Sequence, residues 1–186
     1  MDHYIIRILD FAFALVGLLL AWPILILVVI VGYFDTGSPI FVQQRVGKNK
    51  KAFNLIKFRT MSVGTQSVAS HLANSASITK FGLFLRKSKI DELPQLINVL
   101  KGEMSFVGPR PNLFNQTELI EARDSRGVYN VLPGITGLAQ VNCIDMSTPA
   151  LLAKTDLEMI QTLSIKHYFK YTVMTATGSG SGDRVR

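Results

Sequence analysis

The chain has 186 residues and one cysteine, Cys143, which leaves room for one domain of ordinary size and excludes an intramolecular disulfide framework. Apolar residues make up 48% of it and charged residues only 18%, with a mean hydropathy of +0.27, so part of the protein belongs in lipid. A net charge of +7 points to an anionic partner, whether nucleic acid, phospholipid head groups or a phosphorylated substrate, without choosing among them. The three histidines are far apart, show no metal-ligand spacing and are assigned no role.

From Phe11 to Phe34 the chain runs 24 residues without a charge. A straight helix of that length reaches about 36 Å, enough to cross a bilayer core. A signal peptide is excluded by the length of the run and the lack of a small-residue cleavage site. Pro23 sits near the centre, where it removes a backbone hydrogen bond and predicts at least a kink. Hydropathy leaves open whether the helix spans the bilayer or re-enters the face it came from. Arg45, Lys48, Lys50 and Lys51 place the following loop in the cytoplasm.

Between Asp35 and Asp91 there is no acid, whereas ten of the twenty basic residues fall there. Lys48, Lys50 and Lys51, next to the apolar run, suit anionic lipid. Lys57 and Arg59 lie in the alternating stretch Phe53–Arg59. That pattern predicts a short strand with both cations on one face and Ile56 and Phe58 on the other, a plausible phosphate clamp. Residues 62–79 are small and polar, and read as a flexible loop or loosely helical lid.

Leu93, Leu96, Ile97 and Leu100 follow the i, i+3, i+4, i+7 rule of an amphipathic helix that ends at Gly102 and starts between Ser88 and Pro94. Asp91 and Glu92 therefore lie at its beginning. Ser88-x-x-Asp91 matches a capping pattern, and acids are favoured at a positive helix pole. The chemical reading notes instead that these acids close the basic stretch and are flanked by Arg86, Lys87 and Lys89. Such surroundings keep a carboxylate ionised, ready to attack phosphorus or hold a divalent metal. Further on, Val107-Gly108-Pro109-Arg110-Pro111 is a stiff turn that presents Arg110 with little entropy loss. Pro133–Asn142 is a second turn leading into a strand, its glycines serving a tight turn or a close approach to a ligand.

These segments, in this order, resemble the bacterial sugar transferase family, the monotopic polyprenyl-phosphate phosphoglycosyl transferases. The resemblance covers roughly residues 5–175. It rests on the Pro-interrupted apolar helix, Gly37-Ser38-Pro39-Ile40-Phe41 with Gln44-Arg45-Val46-Gly47, Lys57-Phe58-Arg59-Thr60-Met61, Phe84-Leu85-Arg86-Lys87, Asp91-Glu92-Leu93-Pro94-Gln95-Leu96, Asn98–Gly102, and the two Pro/Gly turns. It implies a helix-rich mixed α/β fold with a short sheet. The implied organisation is a re-entrant membrane helix over residues 1–34, a cytoplasmic catalytic domain over 35–177 and a flexible tail over 178–186. The tail is Gly/Ser-rich and is either native or an appended remnant.

The resemblance further implies that a sugar-1-phosphate passes from a UDP-sugar to polyprenyl (undecaprenyl) phosphate, releasing UMP through a phosphosugar carried on Asp91. This would be the first membrane step of bacterial glycoconjugate and polysaccharide biosynthesis, at the cytoplasmic face of the inner membrane. Mg2+ held partly by Asp91 is implied as cofactor. Glu92 is implied for metal orientation or acceptor deprotonation, and Lys57, Arg59, Arg86 and Arg110 as phosphate ligands. The segment 62–79 departs from relatives in lacking acidic residues, and extra N-terminal membrane helices found in larger relatives are not expected. The rival readings are a glycosyl transferase that moves only the sugar and releases UDP, or a basic membrane scaffold without chemistry. Nucleic-acid binding lacks any recognition motif.

Overall fold

The computed structural model describes residues 2–65 and 75–177. The central part of the 62–79 segment and the 178–186 tail, on which two expectations fall, lie outside the described residues. Helix α1 runs from Asp2 to Thr36 and continues through Pro23. Its inward residues are Ile6, Asp10, Ala14, Leu18, Ala21, Leu25, Val28 and Gly32. Their spacing of three or four keeps helical phase from end to end, and Pro23 faces outward.

An antiparallel hairpin follows, β1 (Ile40–Val46) and β2 (Ala52–Phe58), in which Phe41 pairs with Lys57 and Arg45 with Phe53. Helix α2 (Lys80–Ser88) and helix α3 (Gln95–Lys101) flank the turn that carries the two acids. Strand β3 (Ser105–Val107) pairs in parallel with β4 (Gly134–Thr136). Helices α4 (Thr117–Asp124), α5 (Leu138–Val141), α6 (Pro149–Thr162) and α7 (Ile165–Ala176) complete the chain. The fold is helix-rich with a small sheet content of short strands, as the sequence implied, and among the described residues those strands form two two-stranded pairs.

Helix α1 is built into the core. Ala14 packs with Phe53, Leu55, Leu96, Val99 and Met104, Ile6 with Val107, Met159, Tyr168 and Tyr171, and Val28 with Phe58 and Leu85. A fourth cluster, Leu119, Ala139 and Leu152, joins α4, α5 and α6. Polar contacts fix the register of the helix. Asp10 Oδ1 accepts from the Ser105 hydroxyl (3.1 Å), the Phe106 amide (2.9 Å) and the Tyr168 hydroxyl (3.0 Å). Arg7 donates to the carbonyls of Val99 (2.6 Å) and Met104 (3.2 Å). At the far end the Thr79 hydroxyl donates to Asp35 at 2.6 Å.

Two local expectations are corrected. Ile97 is 37% exposed; α3 turns Leu96 and Val99 to the core and spends Asn98 on bonds to β2, so the inward face is set one residue away from Ile97. The Pro133–Asn142 segment carries its strand at Gly134–Thr136, inside the Pro/Gly turn, and continues as helix over Leu138–Val141. The glycines there serve backbone packing: a Cβ on Gly134 would stand 2.0 Å from the Gly108 nitrogen. Arg45 is buried in the hairpin.

Candidate active site

Asp91 and Glu92 occupy a 3-10 turn, Ile90–Glu92, just ahead of α3. Lys89 adopts a left-handed conformation (φ 58°, ψ 14°) that ends α2 and redirects the chain. The capping explanation fails, because the Ser88 hydroxyl donates back to the Phe84 and Leu85 carbonyls at 2.9 and 3.1 Å. Residues three apart in a 3-10 turn share a side. Ile90 accordingly packs against the Val28–Phe58–Leu85 cluster, and Leu93 against the cluster around Leu96 and Val99. The two acids between them are thus held by apolar anchors at both ends of the turn.

Asp91 is 4% exposed. Its turn packs on β2, which carries Lys57, and on α2, which carries Arg86. Lys57 and Arg59 do share a side: the ammonium and the guanidinium stand 5.6 and 5.3 Å from the centre of the same Phe41 ring, within cation–π range. The opposite side is also apolar, with Phe58 in the α1–α2 cluster. Arg59 is partly committed to the hairpin, since its Nε donates to the Ser38 carbonyl at 2.8 Å. Arg86, in the last turn of α2, donates from Nε to the Thr60 hydroxyl at 2.8 Å. Glu92 accepts from Arg110 Nη2 at 2.7 Å, both side chains being largely buried. The six predicted residues therefore gather on adjoining elements, and Glu92 and Arg110 form an ion pair.

Several residues that organise the site were not singled out in the sequence. Asn98 accepts from the Ile56 amide (3.1 Å) and donates to the Asn54 carbonyl (2.8 Å) and Glu103 (2.6 Å), locking α3 to β2. Arg123 is fully buried with Asp156, to which it donates from Nε and Nη2 at 2.9 and 2.7 Å. Burial pushes the Asp156 carboxyl above the usual aspartate range, and the Arg123 guanidinium offsets part of that. No spacing in the sequence marks this pair, whose members are 33 residues apart. Asp10, the last acid before the apolar run, was visible as a charge beside a membrane element.

An apolar cavity of about 560 Å3 lies elsewhere, between the start of α1, β3 and α6, and is lined by none of the six predicted residues. Among the described residues no group of three or more His, Cys, Asp or Glu side chains converges on one point. A metal here would rest on one or two carboxylates and the phosphates of a ligand, which is how Mg2+ is commonly bound. Asp91 and Glu92 meet that requirement.

A buried carboxylate with cations on the surrounding elements, in a chain with one helix long and apolar enough to cross a membrane, fits a membrane-associated enzyme. Comparison with known sequences agrees. The chain belongs to the bacterial sugar transferase family, whose defining pattern matches residues 1–180. It is 42% identical over 137 residues to the uncharacterized sugar transferase EpsL of Bacillus subtilis, covering 73% of this chain and 67% of EpsL. It is 36% identical over 186 residues to the galactosyl transferase CpsE of Streptococcus agalactiae, covering 91% of this chain and 40% of the relative. It is 35% identical over 190 residues to the UDP-glucose:undecaprenyl-phosphate glucose-1-phosphate transferase of Xanthomonas campestris, covering 94% of this chain and 39% of the relative. The chain thus spans about two fifths of the length of the last two.

Proposed function

We propose that this chain is a phosphoglycosyl transferase that moves a sugar-1-phosphate from a UDP-sugar to undecaprenyl phosphate, the opening membrane step of a bacterial glycoconjugate. The observation that carries this reading is Asp91, buried on a tight turn fixed at both ends, with Lys57 and Arg86 on the elements packed against it. The printed activity of the Xanthomonas relative, UDP-glucose:undecaprenyl-phosphate glucose-1-phosphate transfer, supports it. The galactosyl name of CpsE leaves the sugar open.

In the first step an Asp91 carboxylate oxygen bonds to the β-phosphorus while the bond from that phosphorus to the α–β bridging oxygen breaks. UMP departs with the bridging oxygen, and the phosphosugar stays on Asp91. In the second step an oxygen of the lipid phosphate bonds to the same phosphorus and displaces the carboxylate. Splitting one displacement into two suits a nucleophile that is already in place. Lys57, Arg59, Arg86 and Arg110 stabilise charge on the phosphoryl oxygens. Mg2+ bound at Asp91 would neutralise the diphosphate. Glu92, held by Arg110, is left to orient that ion or take the acceptor's proton.

The membrane part of the reading has its own support. Both ends of α1 touch the same body of protein, through Arg7 and Asp10 at one end and Val28, Gly32 and Asp35 at the other. A helix that crossed the bilayer would separate those ends by the hydrocarbon core. A helix that stays at one face keeps both ends on the same side. Because α1 runs unbroken through Pro23, the re-entry is a shallow passage and not a turn back. The domain then lies in the cytoplasm and the protein in the inner membrane.

The deciding experiment incubates membranes containing the protein with a panel of UDP-sugars, undecaprenyl phosphate and Mg2+, then identifies the released nucleotide. UMP is expected; UDP would favour transfer of the sugar alone. Quenching during turnover should reveal a phosphosugar mass on the peptide containing Asp91, and Asp91→Asn should abolish release. Near-normal turnover by Asp91→Asn would remove the carboxylate from the chemistry.

A further inference from the structure

The Pro109–Arg110–Pro111–Asn112 turn is bound at every carbonyl. The Pro109 oxygen accepts from the Gly134 amide at 2.9 Å, and the Asn112 oxygen from the Val46 amide at 2.9 Å. Between them the Arg110 oxygen accepts from Arg123 Nη1 at 2.9 Å, and the Pro111 oxygen from Arg45 Nη1 at 3.2 Å. Arg123 Nη1 also donates to the Asn112 side chain at 2.9 Å, an acceptor shared with the Tyr129 hydroxyl at 3.0 Å. Two prolines already restrict φ along the turn, so these bonds leave the backbone under Arg110 with little freedom. Arg110 is the residue that meets Glu92.

The Arg123–Asp156 pair is poorly explained as a source of stability. Removing two charges from water costs several kcal/mol per ion, and such pairs are often replaceable by apolar residues of similar volume. What an apolar pair could not do is donate to the Arg110 carbonyl. We propose that Arg123, braced by Asp156, and Arg45 are positioning residues that hold the backbone of Arg110 so that its guanidinium meets Glu92. The kinetic consequence rests on the function proposed above; the clamp itself does not.

The test replaces the pair by Arg123→Met with Asp156→Leu in the full chain, in detergent or nanodiscs. Hydrogen–deuterium exchange of residues 105–114 should rise while the α1 and α3 peptides stay protected, a readout independent of turnover. Unchanged exchange at 105–114 overturns the proposal. For UMP release, kcat should fall by at least about tenfold, toward the roughly 100-fold that a 1 Å misplacement costs, and KM should move less than kcat. In an Arg110→Ala background the same double change should lower kcat by less than about twofold, because its effect passes through Arg110. An equal loss in both backgrounds would make the pair a general part of the fold and overturn the proposal. Should the apolar pair fail to fold, Arg123→Lys keeps a cation beside Asp156 but gives up the forked grip. The same exchange and kinetic outcomes then decide. If the wild-type protein releases UMP from no donor, the functional reading fails while the exchange result still judges the clamp.

Discussion

Asp91 and Glu92 are sequence neighbours whose carboxylates meet different surroundings. Asp91 is enclosed among β2, α2 and its own turn, whereas Glu92 is paired with Arg110 across 2.7 Å. Truncating one partner of a largely buried pair removes a charge-assisted hydrogen bond from a poorly solvated place and is destabilising. Glu92→Ala and Arg110→Ala should therefore each destabilise, and together by less than the sum. A coupling of roughly 0.5–3 kcal/mol in a double-mutant cycle read by thermal or denaturant unfolding is expected. The exposed Lys50–Asp124 pair should show at most about 1 kcal/mol in the same cycle. The dyad was legible because acids at the end of an acid-free basic stretch are conspicuous. Arg123, Asp156 and Asn98 were not legible, since their meaning lies in partners far along the chain. The burial of Arg45 was not legible for a related reason: positive charge in a loop-like composition looks solvated until the hairpin closes over it.

At the scale of elements, α2 owes its place to Gly82. A Cβ there would stand 2.1 Å from the Thr60 carbonyl oxygen and 2.6 Å from the carbonyl carbon, so the helix must retreat from the strand exit if the glycine is replaced. Arg86, bonded to Thr60 one turn later, would retreat with it. Gly82→Ala should cost at least the 1–3 kcal/mol typical of overpacking and lower turnover as well. Lys87→Ala on the exposed side of the same helix should stay within about 0.5 kcal/mol. Melting temperatures and kcat of the two variants check this. Element positions followed from the uncharged apolar run for α1, from apolar periodicity for α3 and from alternation for β2. The reading failed where packing overrode period, at Ile97, and where the 134–136 strand was too short to be recognised between prolines and glycines. The 62–79 segment is closed at its base by the Met61–Ile78 bridge and by the Ser62 amide bonded to the Ser77 carbonyl at 3.0 Å.

On the scale of the molecule, the outward side of α1 carries Leu19, Leu20, Trp22 and Leu27 in the open, with Tyr4 near one end and Tyr33 and Phe34 near the other. An apolar surface of that extent marks contact with lipid, and aromatic residues suit its water-facing margins. Single cysteines at positions 4 and 34, in a chain with Cys143→Ser, test the topology. A membrane-impermeant maleimide should modify both from the same side of sealed vesicles, and modification from opposite sides would establish a crossing helix. The family and the helix-rich class were readable from ordered motifs. The docking of α1 was not, because Asp10, Tyr168 and the Phe106 amide meet only when the chain's two ends are brought together.

That docking has a practical consequence. A fragment beginning at residue 35 would lose Ile6, Ala14 and Val28 from three separate apolar clusters and leave the Tyr168 hydroxyl and the Phe106 amide without their shared acceptor. Such a fragment should aggregate and not accumulate as a water-soluble enzyme. In this architecture the apolar helix and the core that positions the candidate site are one packed structure, so neither is expected to fold without the other.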